Sequence, residues 1–171
     1  TGGSKTPSAV CLVDLTGTNE TEFVATKVDF ETFQGLVREE AKKMQAKGVL
    51  LHTHGFSRKP EPFFDAAMEF QVMMKNVLII PVLWPANDDL FVANLYFADQ
   101  KSISEDSGKF VPLLDLFFES DDTCLPTSLM CHSMGNYVLE WVAQRAAEDG
   151  PSSSSARKFQ HIFMVAADVD R

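Results

Sequence analysis

Four short runs dominated by apolar residues, at 49–54, 77–84, 128–131 and 162–167, constrain this chain more than any other feature. A strand with one face in water alternates apolar and polar side chains. An unbroken apolar run needs cover on both faces, the mark of a parallel sheet with helices above and below it. Between the runs, apolar residues recur at helical spacing. Phe30, Phe33, Leu36, Val37, Ala41 and Met44 do so within 29–47, with Gly48 as the stop. Phe63, Ala66, Ala67, Phe70 and Met74 repeat the pattern within 62–74, and 109–118 and 136–148 do likewise. Strand alternating with helix is the signal of βαβ units. The expected fold is α/β, a mostly parallel sheet flanked by helices on both faces as a three-layer α/β/α sandwich. An earlier pair of strands, 9–15 and 22–28, is expected to run antiparallel through a turn at 16–19.

The bulk numbers set limits. At 171 residues and 45% hydrophobic content, the chain is sized for one domain spanning 1–171. A formal charge of −9 argues against nucleic acid, whose binders carry a basic face. No run approaches the ~18 apolar residues of a membrane span, and the opening residues lack the charged start and apolar core of a signal peptide. Cys11, Cys124 and Cys131 form neither an even-numbered framework nor a CxxC spacing. Cys11 and Cys131 lie in apolar runs and read as small core residues, which fits a reducing compartment such as the cytoplasm or an organelle interior. Residues 86–108 are the longest polar, weakly patterned stretch. They follow a strand's carboxyl end, where α/β proteins build their sites, so they are a lid or pocket wall, with a plain surface loop as the alternative.

The chemistry concentrates at His132-Ser-Met-Gly-Asn136, where an apolar run breaks and a helical pattern begins at once. A serine on a sharp strand-to-helix turn projects its hydroxyl from the sheet beside backbone N–H groups, which presents a weak nucleophile to a carbonyl. Ser133 is the nucleophile candidate; a helix N-cap is what most serines in such a place would be. The usual signature is Gly-x-Ser-x-Gly because strand and helix backbones crowd there. Gly135 keeps the second small position, and Cys131, slightly larger, takes the first. His54-Gly55-Phe56 ends the first parallel strand. The loop there supplies one oxyanion N–H and the residue after the nucleophile supplies the other, which assigns the backbone N–H groups of Phe56 and Met134. Gly55 lets that loop fold close to the serine, with His54 buttressing it and His132 supporting the turn.

A general base must reach the serine hydroxyl. His132 is its sequence neighbour and points elsewhere, His161 starts a strand at the far end of the sheet, and of His52 and His54 only the latter is near the correct edge. The chain order expected for this chemistry is Ser, acid, His, so the base is expected outside these residues. Asp168 and Asp170 directly follow the last strand and are candidates for the acid, with helix capping as the alternative. His52, His54 and His132 could instead share a metal, but a further ligand would have to be found. No glycine-rich Lys-Ser/Thr loop is present, and nothing in the pattern calls for a cofactor.

These segments together resemble the α/β-hydrolase superfamily, and more closely its DUF900 branch. The resemblance is carried by His54-Gly55-Phe56, Trp84-Pro85, Tyr96 with Asp99, His132-Ser-Met-Gly-Asn136 and Ala166-Ala-Asp-Val-Asp170 in order, over residues 49–170. It implies an eight-stranded, mostly parallel sheet and a Ser-His-acid triad acting on a small-molecule ester or related acyl compound. Ser133 is then the nucleophile, Phe56 and Met134 the oxyanion donors, and Trp84 and Tyr96 parts of the pocket wall, with ordinary packing and capping as the alternative for these two. The catalytic histidine, and in most of the group the acid, come later in the chain. The resemblance therefore implies an α/β-hydrolase-like domain that is incomplete at its carboxyl end, with a partner segment expected to complete the sheet. The competing reading is a hydrolase-like scaffold that binds a ligand or protein without turnover.

Overall fold

The computed structural model describes residues 10–14, 24–56, 60–84, 99–101, 125–148 and 159–166. Two strands, β1 (Val10–Asp14) and β2 (Val24–Val28), pair antiparallel from Val10↔Val28 to Asp14↔Val24, as their sequence suggests. A helix, α1 (Phe30–Lys43), follows directly. Its start is set by Asp29, whose carboxylate accepts the Thr32 N–H at 2.7 Å. That bond from the Thr32 backbone holds the exposed carboxyl below its ordinary range.

The end of α1 differs from expectation. Gly48 is not the stop. The helix closes at Lys43, and Gln45 takes the left-handed conformation with φ 52°. The Ala46 N–H reaches Ala41 O at 2.8 Å and the Gln45 N–H reaches Lys42 O at 3.1 Å, which together form a Schellman closure. Ala46 and Ala41 both pack in the core, supplying the apolar contact that accompanies this closure. Gly48 is needed one step later, at the first residue of β3, where a Cβ would lie 3.0 Å from the Pro126 carbonyl.

Four strands form the main sheet: β3 (Gly48–Thr53), β4 (Val77–Val82), β5 (Thr127–His132) and β6 (Ile162–Val165). All are parallel, in the order β4-β3-β5-β6. Alternation of side chains builds two cores. Leu51, Ile80, Leu129 and Cys131 face α1 and α3 (Gly135–Glu148), through Phe33, Val37 and Leu139. Leu50, Ile79 and Met130 face α2 (Pro60–Met73), through Ala67 and Phe70. Helices thus cover both faces, the expected three layers. Residues 109–118, expected as a helix, lie outside the described residues.

Among the described residues β4 is an edge strand, bonded to β3 alone, which is where a proline such as Pro81 is tolerated. Its free side is capped by one amide. Gln71 of α2 donates to Val77 O and accepts from the Ile79 N–H, each at 2.9 Å, standing in for a neighbouring strand.

Candidate functional site

After β3 the chain crosses to β4 on one side and returns to β5 on the other, so the strands β3 and β5 part at a topological switch. Crevices form at the carboxyl ends of such pairs. His54, Gly55 and Phe56 leave β3 there, and Ser133 and Met134 leave β5 beside them.

Ser133 has φ 49°, a left-handed conformation that costs a non-glycine residue about 1–3 kcal/mol. The bend is braced on three sides. Its N–H donates to Val165 O of β6 at 2.8 Å, its carbonyl accepts the Asn136 N–H at 3.0 Å, and Met134 O accepts the Tyr137 N–H at 3.0 Å. Helix α3 therefore begins within two residues of the strand's end. The Met134 N–H meets no acceptor among the described residues, although the residue is wholly buried. Ser133 itself is half-buried.

Two glycines interlock this turn with the end of β3. A Cβ on Gly135 would stand 2.5 Å from His54 O and 2.6 Å from Thr53 Oγ1. A Cβ on Gly55 would stand 2.9 Å from His132 Nδ1 and 3.0 Å from Ser133 Cβ. A side chain at Gly135 would meet backbone, and one at Gly55 would have to displace its neighbours, so the loop after β3 lies directly against the serine. Cys131, at the first small position of the turn, is fully buried, and burial pushes its thiol up to about 11. A thiol held protonated in this way is a core residue and not a nucleophile.

His54 is buried and makes the loop rigid. Its Nδ1 lies 2.8 Å from the Gly55 carbonyl, which can only accept, so Nδ1 carries a proton and donates. Trp84 stacks flat on the ring, with centroids 4.6 Å apart and planes 7° apart. The indole donates to His54 O at 3.0 Å, and the Trp84 backbone N–H approaches Nε2 at 3.3 Å. Trp84 thus stands behind the loop and is absent from the lining of the cavity in front of it.

That cavity measures about 620 Å³ and opens between the switch point and α2, lined among others by Phe56, Phe63, Phe70, Met130, His132 and Ser133. His52 forms its floor, boxed by Phe63 at 4.7 Å and Phe70 at 5.3 Å between ring centroids. Phe70 and Met130 were legible only as core. Their place at the site follows from the alternation that puts Met130, His52 and α2 on one side of the sheet. Asn136 was legible only as part of the motif, although its side chain grips the turn.

The structure brings together Ser133, Met134, Gly135, His132, His54, Gly55 and Phe56. His161 sits just before β6, exposed and beside Phe163, at the amino-terminal end of the sheet. No described residue hydrogen-bonds the Ser133 side chain. The chain turns again at Ala166, φ 45°, immediately before the described residues end. Asp168, Asp170, Tyr96 and most of 86–108 lie outside the described residues; of that stretch Asp99 is seen, helical and buried. Among the described residues, no three His, Cys, Asp or Glu side chains are grouped to hold a metal, and no helix is long and apolar enough to cross a membrane.

A family model described as "Alpha/beta hydrolase of unknown function (DUF900)" matches residues 30–171. Comparison with curated proteins and with solved structures gives no match.

Proposed function

The chain belongs to the DUF900 family of alpha/beta hydrolases, and from that premise we propose that it carries the nucleophile and oxyanion end of a serine hydrolase acting on a carboxylic ester or related acyl compound. The observation that carries this reading is the left-handed Ser133 at the switch point, with Gly55 packed against its Cβ. Strain of this kind persists only where the surroundings over-determine it, and it clusters at working sites. In the reaction, Ser133 Oγ bonds to the acyl carbon while its proton passes to a base, which lies outside the described residues. The carbonyl oxygen gains charge and is held by the Phe56 and Met134 N–H groups. Collapse expels the alcohol, and water then releases the acyl group from Ser133. The aromatic lining in front of the serine suits an apolar acyl chain. Asp168 and Asp170, just beyond the turn at Ala166, are candidates for the acid that orients the base.

Labelling of the full-length protein with a fluorophosphonate probe tests the assignment. The wild type is expected to label and Ser133→Ala to lose essentially all of it. Equal labelling of the two would remove Ser133 as nucleophile. The second reading is a hydrolase-like scaffold that binds without turnover. Failure of the folded wild type to label would support it.

A further inference from the structure

A carbonyl and the N–H that follows it belong to one rigid plane, so whatever grips the Ser133 oxygen also aims the Met134 N–H. Asn136 grips that oxygen twice, through its backbone N–H at 3.0 Å and its side-chain Nδ2 at 2.8 Å. The same Nδ2 reaches Cys131 O at 3.2 Å. One amide group therefore ties the last turn of β5 to the far side of the strained bend. Asn136 is 1% exposed, and its Oδ1 meets no donor. The side chain is held in place for its two N–H groups alone, since both oxygens facing it can only accept. Of the similarly sized side chains, neither leucine nor ionised aspartate could donate here.

We propose that Asn136 is a positioning residue that fixes the direction of the Met134 N–H toward the oxyanion. The proposal rests on the reading of Ser133 as nucleophile and Met134 as donor. The opposite donor is built the same way: the Phe56 N–H shares a plane with the Gly55 carbonyl, and that carbonyl is gripped by His54 at 2.8 Å. Each donor plane is thus held from behind by a buried side chain, one just past the end of β3 and one in the first turn of α3.

The test uses the full-length protein, with fluorophosphonate labelling rates taken relative to wild type from pH 5 to pH 8, and with folded fractions measured by protease resistance. Asn136→Asp keeps the shape but, when ionised, points charge at two carbonyl oxygens. It is expected to label roughly 10- to 100-fold slower at pH 8, less than the loss from deleting a donor outright. The deficit should narrow toward pH 5 as a protonated carboxyl regains one O–H donor. Asn136→Ala should show a loss that does not change with pH. With a short p-nitrophenyl ester, both should lower kcat while leaving KM nearly unchanged, because the oxyanion forms only in the transition state. Wild-type rates in both variants, or losses that merely track the folded fraction, would overturn the proposal while leaving Ser133 as nucleophile. Failure of both variants to fold would overturn it too, since the amide would then serve the fold and not one peptide plane. If the wild type itself does not label, the underlying reading falls first.

Discussion

Strands β3 and β6 are written in much the same apolar alphabet, yet they end in opposite circumstances. All six residues of β3 are buried, with Leu51 fully enclosed. All four of β6 are exposed, with Ile162 at 47% on one face and Phe163 at 48% on the other. The other edge, β4, is finished by the Gln71 amide and Pro81, whereas β6 carries no such device among the described residues. An apolar run therefore reports that cover is required without saying which part of a molecule supplies it. The centre of the sheet, in contrast, is determined several times over, by two glycines, Asn136 and the buried His54–Trp84 stack.

The sharpest way to break that contrast is Gly135→Ala. A methyl at 2.5 Å from a backbone carbonyl forces β3 and α3 apart, with an expected loss of about 3 kcal/mol or more, in the range of severe core disruptions. Chemical denaturation would measure it, and a loss below about 1 kcal/mol would show that the centre yields. Gly55→Ala comes next. Its neighbours include a histidine ring that can shift, so a stability loss of about 1–2 kcal/mol is expected. Labelling at Ser133 should fall far more, roughly 100-fold, as the loop lifts from the serine. Parallel loss of both would mean the glycine serves packing alone. The smallest effect is expected at the edge. Met164→Lys should change stability by no more than about 0.5 kcal/mol and reduce self-association in sedimentation, since a charge on an edge discourages pairing. A core-sized loss there would show that β6 is covered after all.

The same contrast explains what could be read from the residues. The parallel sheet, its layers and the antiparallel pair before it follow from runs and spacing, because burial on two faces leaves a compositional mark. The meeting of Gly55 with Ser133 was also legible, since small residues at a strand's end have few other uses. The stop of α1 was not. A Schellman closure asks only for a left-handed residue, and Gln45 accepts that conformation while Gly48 answers to crowding by Pro126. The resemblance suggested Trp84 as pocket wall, but stacking on His54 depends on a neighbour 30 residues away, which no local pattern encodes. Asn136 was hidden for the opposite reason: an asparagine opening a helix looks like an ordinary polar residue until the carbonyls it holds are seen.

If Ser133 is the nucleophile, its strained bend should present an adduct to the two proposed backbone donors. A crystal structure of the full-length protein after reaction with a fluorophosphonate tests this most directly. Phosphorus is expected on Ser133 Oγ, with the phosphoryl oxygen about 3 Å from both the Phe56 and Met134 nitrogens. An adduct on another residue, or an oxygen turned away from both amides, would contradict it.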